Sequence, residues 1–374
     1  MKLLSPLIVL SVVVTSLFTG CSSEDTSQEE TETVDVTVRG PYNVGQQATE
    51  ITYTPTGIAE PRTLRLIMWY PTNETQGTEP LWGESLIDAA PIPDAEFPVL
   101  VYSHGTSSFA ECAYDLMEYF ASHGFVVASA DHTGDTTANR DEPRNTEMYV
   151  QRPQDISAVI DTIYSLPATN PLAGRLTDDL ALAGHSFGGW NVFSAVGGTF
   201  SEERIAECDG TVQSSLCTNM TDEYATILRQ GFRDERVKVL IPMAPGNATL
   251  MGPEGVSNIT IPIMHMSATL DGNCPNETQG DPYWDNISAP NSMRVNYDKG
   301  GHHSYILTCE ITPWIGDENG GGCGDEFTDY KILLEATNIY SLAFARLHLF
   351  DDQDMLPILN GETSTFEDVT LSYK

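Results

Sequence analysis

Short apolar runs alternate with stretches of helical spacing from residue 48 to the C-terminus. The runs predict strands at 48–54, 63–70, 98–103, 125–130, 180–183, 237–243, 261–267 and 293–297. From residue 98 onward they are continuously apolar, the pattern of strands buried on both faces of a parallel sheet. Between them, apolar positions recur at helical intervals. Leu116, Tyr119 and Phe120 mark 109–122, and Ile156, Val159, Ile160 and Ile163 mark 153–166, with Pro153 read as a first-turn residue. The short stretch 187–196 follows a tight turn, and Ile332, Leu333, Ile339, Leu342 and Leu349 mark 329–349. The first two strands have no helix between them and predict an antiparallel hairpin. The expected architecture is α/β: a mostly parallel central sheet of about eight strands with helices on both faces. Residues 201–236 and the Gly-, Pro- and Asn-rich stretch 272–290 read as insertions.

The N-terminal pattern is different. Lys2 precedes an apolar run from Leu3 to Phe18, short for a membrane span and suited to a signal-peptide core. Thr19-Gly20-Cys21 resembles a bacterial lipobox, although Phe18 stands where leucine is usual. It predicts a lipidated Cys21, with ordinary cleavage near Cys21 as the alternative. The polar segment that follows lacks periodicity and reads as an acidic disordered tether. The expected organisation is a signal peptide over 1–21, a tether over 22–38 and one domain over 39–374 that carries the 201–236 insertion. An exported protein follows, held in a bacterial cell envelope or secreted, with monomer as the expected state.

Charge narrows the partners. The 374 residues include 18 Lys+Arg and 53 Asp+Glu, a formal net charge of −35. Nucleic-acid binding needs clustered basic residues, so it is excluded, and membrane contact is expected only through the N-terminal lipid. Only six acidic residues lie within residues 1–35, so 47 belong to the body. With 5 Lys beside 13 Arg, such a surface suits saline surroundings, where salt screens self-repulsion. A plain acidic soluble protein is the other reading.

The chemistry concentrates in one motif. The run 180–183 passes into Gly184-His185-Ser186-Phe187-Gly188-Gly189 and then into a helical stretch. This is G-x-S-x-G in strand–turn–helix context, which lifts a serine to the sheet edge. The glycines leave room for backbone packed close to the turn. Ser186 is the candidate nucleophile, at a helix N-terminus whose amides face developing negative charge. Phe187 N–H is one expected oxyanion donor. Thr106 N–H is the other, in the loop His104-Gly105-Thr106-Ser107-Ser108 after strand 98–103. His104 is expected to hydrogen-bond that loop, because the order Ser, acid, His leaves no base so early.

Strand 261–267 leads to Asp271-Gly272, which makes Asp271 the candidate acid, with Asp281 and Asp285 as alternatives. Strand 293–297 leads to Gly301-His302-His303. The glycine favours His302 as base, with His303 as the alternative. No third ligand supports the His pair, and no CxxC or CxxH spacing occurs, so no metal and no cofactor are expected. His132 is expected near the pocket and His185 beside the nucleophile, with His265 and His348 as core or surface residues. Of the aromatic residues available to a cleft, Phe109 and Trp190 are the substrate-binding candidates, with core packing as the plain alternative. Removing Cys21 leaves six cysteines, an even count that suits disulfides in an exported protein. Cys208 and Cys217 are expected to pair within one loop. Cys274 is expected to pair with Cys309 or Cys323. A Cys274–Cys309 bridge would tie the Asp271 loop to the His302 loop. Cys112 has no evident partner.

These residues carry a family resemblance. Val101–Phe109 with Ala121–His132, Arg152-Pro-Gln-Asp-Ile156 with Asp161, and the GHSFGG turn are similar to segments of α/β-hydrolases. Within that fold they resemble plasma-type platelet-activating-factor acetylhydrolases, dienelactone-hydrolase-like proteins and bacterial polyester hydrolases. The resemblance implies Ser186, Asp271 and His302 as a triad, with Thr106 and Phe187 amides as oxyanion donors. Dienelactone hydrolases use cysteine as nucleophile, so Ser186 points instead to ordinary ester hydrolysis. The implied substrate is a small, lipid-like or aromatic ester, or a polyester. A non-catalytic surface-binding lipoprotein on a hydrolase scaffold is the expectation from another class.

Overall fold

A computed structural model describes residues 34–374 except 211, 313, 315–318, 364 and 365. The expected signal peptide, the Cys21 lipidation site and tether residues 22–33 lie outside the described residues. The compact folded unit runs from Asp35 to Lys374. Packed chain therefore begins before the expected boundary at residue 39: Val36 is fully buried and accepts a hydrogen bond from the Tyr119 hydroxyl.

Ten strands form one sheet: β1 (Asn43–Tyr53), β2 (Arg62–Thr72), β3 (Leu86–Ile87), β4 (Phe97–Ser103), β5 (Val126–Ala130), β6 (Leu176–His185), β7 (Val239–Met243), β8 (Met264–Ala268), β9 (Met293–Tyr297) and β10 (Val369–Tyr373). Their order is β10-β9-β8-β7-β6-β4-β5-β2-β1-β3. The pairs from β5 across to β9 are parallel, while β1–β2, β2–β5 and β9–β10 are antiparallel. The expected hairpin and buried parallel centre are both present, and every residue of β5, β7 and β8 is buried. Two strands escaped the sequence reading. Both lie at sheet edges: β3 has two residues, and β10 has no fully buried position.

Two helix boundaries also differ. The first helix, α1, spans Tyr114–Ser122, so Cys112 lies in the turns before it rather than within it. The second, α2, spans Thr146–Tyr164 and is capped by Asn145, whose side chain accepts from Glu147 N–H. Pro153 therefore lies inside α2, not in its first turn. The third, α3, spans Phe187–Ala195. The long helix Tyr330–Phe350 begins after Asp329, which caps it through Lys331 N–H.

The central parallel strands place the chemistry. β4, β6, β8 and β9 all point one way, and the loops after them carry residues 104–107, Ser186, Asp271 and His302 respectively. In open α/β sheets, the carboxyl ends of the strands are where ligands are met.

Candidate active site

The turn from β6 to α3 shows why its glycines are needed. Ser186 has φ 57° and ψ −119°, a conformation L-residues rarely adopt. A Cβ at Gly188 would come within 2.0 Å of the Ser103 carbonyl oxygen, so any side chain there would drive β4 and α3 apart. The strained turn is held by Ser186 N–H, which donates to the Met243 carbonyl at 2.9 Å.

Three side chains meet above it. His302 Nε2 lies 2.9 Å from Ser186 Oγ, and His302 Nδ1 lies 2.8 Å from Asp271 Oδ2. The other carboxylate oxygen, Oδ1, accepts from the Asn273 and Cys274 amides at 2.8 and 2.6 Å. Asp271 and His302 are buried at 3% and 5% exposure, whereas Ser186 remains partly open. Burial disfavours the charged imidazole. The hydrogen bond and charge of Asp271, with Cys274 beside it, outweigh that and raise His302 above the ordinary histidine range. The same pairing with Asp271 stabilises the imidazolium that forms when Nε2 takes the Ser186 proton.

The alternatives fall elsewhere. His303 N–H donates to the Gly321 carbonyl, and burial pushes its ring down to about 4. Asp281 is engaged by Arg294 at 2.7 Å, and Asp285 is exposed. His185 holds the base from behind: its Nε2 lies 2.7 Å from the His302 carbonyl oxygen.

The oxyanion loop leans on the nucleophile. A Cβ at Gly105 would lie 3.2 Å from Ser186 Cβ, so the adjacent Thr106 amide stands close to the reacting centre. Neither the Thr106 nor the Phe187 amide has a hydrogen-bond partner among the described residues. The loop is anchored beneath by a buried network that sequence reading missed. Asp135 accepts from Ser107 N–H at 2.9 Å and from Arg152 at 2.5 Å, and Arg152 also donates to the His104 carbonyl. His104 behaves as expected: its Nδ1 meets the Gly105 carbonyl, and its Nε2 accepts from His132 N–H. Behind it, Ser103, His132 and Asp155 repeat the donor types of the open site, with contacts of 2.8 Å each, but all three are buried. Asp155 is also gripped by Arg62 at 2.7 Å. Burial alone would raise its carboxyl, but Arg62 and His132 outweigh it and hold it at about 2. This is a structural cluster, and its signal was the Arg152-Pro-Gln-Asp155 segment.

Two further expectations need correction. Trp190 is fully buried among Tyr149, Phe187 and Phe200, so it packs the core and presents nothing to a substrate. Phe109 is half-buried in the loop after β4. The bridges are Cys208–Cys217, as expected, and Cys309–Cys323. Cys274 is a free, buried thiol, as is Cys112, so the Cys274–Cys309 pairing is wrong. The two triad loops are instead joined by a glycine-rich strap. Gly320 and Gly321 carbonyls accept from His302 and His303 amides at 2.9 and 2.7 Å. On the other side, a Cβ at Gly272 would come within 2.1 Å of the Asn319 carbonyl oxygen. The Cys309–Cys323 bridge pins this strap.

Comparisons with known proteins agree with the architecture. A chlorophyllase family model matches residues 65–206, the stretch from β2 through the Ser186 turn and into the insertion. No curated protein sequence matches the chain. Among solved structures, a ferulic acid esterase from Streptomyces cinnamoneus is similar over 88% of this chain and 96% of that one, with a TM-score of 0.63 and 17% identity. At that identity the likeness is one of fold. With 422 solved chains matching, the fold alone does not select an activity.

Proposed function

We propose that this chain, an α/β-hydrolase by fold, is a serine carboxylic-ester hydrolase. The observation that carries the reading is the continuous hydrogen-bonded line Ser186–His302–Asp271 on a strained turn flanked by two amides with no partner among the described residues. The matching chlorophyllase family and a structural neighbour named as an esterase support the coarse class of ester hydrolase.

In this reading, His302 Nε2 accepts the Ser186 proton as Oγ attacks the ester carbonyl. Asp271 keeps Nδ1 protonated and stabilises the imidazolium. The Thr106 and Phe187 amides receive the oxyanion. His302 then protonates the departing alcohol, leaving an acyl group on Ser186. Water, deprotonated by His302, attacks that acyl group and releases the acid. The proposed substrate is a small, lipid-like or aromatic ester, with Phe109 as the aromatic contact. A polyester or an acetylated phospholipid remains the alternative. Two disulfides suit an oxidising, extracytoplasmic compartment. Attachment through a lipidated Cys21 and action as a monomer complete the proposal. Ser186→Ala should abolish turnover of p-nitrophenyl acetate in a folded protein, and retained turnover refutes the assignment. A panel of esters of rising acyl length, with aromatic acids included, then orders the substrate classes.

A further inference from the structure

The Cys274 thiol takes no bond-making step in the ester chemistry, yet it stands directly beside His302. Its sulfur and the facing atoms of Asp271 and His302 all lie within 4.8 Å of one another. The thiol is unpaired and 9% exposed. A Cβ at Gly246 would meet this sulfur at 3.3 Å, so the thiol is wedged against the loop that follows β7. Cysteine, histidine and carboxylate are the three donor types of tetrahedral zinc sites. With metal–ligand bonds of about 2.0–2.3 Å, tetrahedral donors lie roughly 3.3–3.7 Å apart, so the sulfur would close in while the Asp271–His302 contact, now 2.8 Å, opens around the ion.

We propose that Asp271, Cys274 and His302 form a binding site for a thiophilic divalent cation of the zinc group, and that its occupancy switches the triad off. The inhibitory half rests on the serine-hydrolase reading; the binding half does not. Cation binding forms bonds to Asp271 Oδ2, the Cys274 thiolate and His302 Nδ1. The thiol proton leaves to solvent, and the imidazole proton passes from Nδ1 to Nε2. One thiolate and one carboxylate neutralise the double positive charge, so a buried site carries no net charge. With Nε2 protonated, His302 donates to Ser186 Oγ instead of accepting from it, and the nucleophile loses its base.

The test uses Cd2+ and Zn2+ on the full chain. A thiolate-to-cadmium charge-transfer band should appear in the wild-type protein and in Ser186→Ala, and should persist in Cys112→Ser. It should vanish in Cys274→Ser and Cys274→Ala. This band ignores cations held by surface carboxylates alone. Both ions should inhibit the wild-type esterase reversibly to chelator, and Cys274→Ser should be more than about 10-fold less sensitive. X-ray absorption on the zinc-loaded wild-type chain needs no variant and should show one sulfur among nitrogen and oxygen ligands. An unchanged band or unchanged inhibition in Cys274→Ser, or a zinc shell without sulfur, overturns the site. A Cys274-dependent band without inhibition supports the site and removes His302 as the base.

Discussion

Asp271→Asn replaces one carboxylate oxygen by an amide nitrogen, and the structure dictates which one. Oδ1 accepts from two backbone amides, Asn273 and Cys274, and an NH2 group cannot stand there. The amide oxygen must take that position, so the NH2 faces His302 Nδ1, now 2.8 Å from Oδ2. A donor opposite Nδ1 forces the imidazole proton onto Nε2, the nitrogen that must accept from Ser186 Oγ 2.9 Å away. The geometry survives and the tautomer is wrong. The expected loss is about 10⁴-fold in kcat, about 5.5 kcal/mol of transition-state stabilisation, with KM little changed. Both backbone amides keep an acceptor, so stability should barely move. Asp271→Ala leaves them buried and unpaired, at a cost of about 1–3 kcal/mol, and is the poorer variant. The assay is steady-state turnover of p-nitrophenyl acetate beside a thermal melt. A loss below about tenfold in a protein that melts like the wild type refutes the role given to Asp271.

Two other outcomes follow from the frame around the site. Asp155 is held at about 2 when folded, below its ordinary value, so its contribution to stability is present above pH 4 and lost as pH falls toward 2. That contribution is about 2–3 kcal/mol. Asp155→Asn should destabilise by about 3–5 kcal/mol, because it breaks a buried pair with Arg62, and denaturant midpoints should then depend less on pH in that window. Replacing Cys309 and Cys323 by serine opens a loop of sequence separation 14, worth about 3 kcal/mol. It also frees the strap beneath His302, so kcat should fall more than KM rises, and an unaltered kcat removes the strap from the account of the site.

What could be read from the chain followed the range of the forces involved. The Ser186 turn is local: its glycines answer to sterics within a few residues, and strand, turn and helix all announce themselves. The acid loop was legible because it follows a largely apolar strand, and the base loop because it follows the alternating run Met293-Arg-Val-Asn-Tyr297. Cysteine pairing is not local. Cys274, Cys309 and Cys323 are equally plausible partners in sequence, and only the folded strap decides among them. Pro153 misled because proline favours a first helical turn, while the true start is fixed by the Asn145 cap. Trp190 misled because closeness to Ser186 in sequence says nothing of which face of α3 it occupies. The Arg152–Asp135 and His132–Asp155 pairs join α2 to a loop 17 and 23 residues earlier; the Arg152–Asp155 segment stood out in the sequence, but no spacing rule names its partners. β10 carried a signal in its Val-Thr-Leu-Ser-Tyr alternation, but it is short and half-buried, as edge strands often are.

In the proposed chemistry Ser186 is a nucleophile activated by His302. A fluorophosphonate probe on the full folded chain tests this most directly, with the adduct located by mass spectrometry. The expected result is one adduct, on Ser186, absent in Ser186→Ala and strongly slowed in Asp271→Asn. A folded wild-type protein that takes no label, or takes it on another residue, contradicts the claim and favours a non-catalytic binding protein on a hydrolase scaffold.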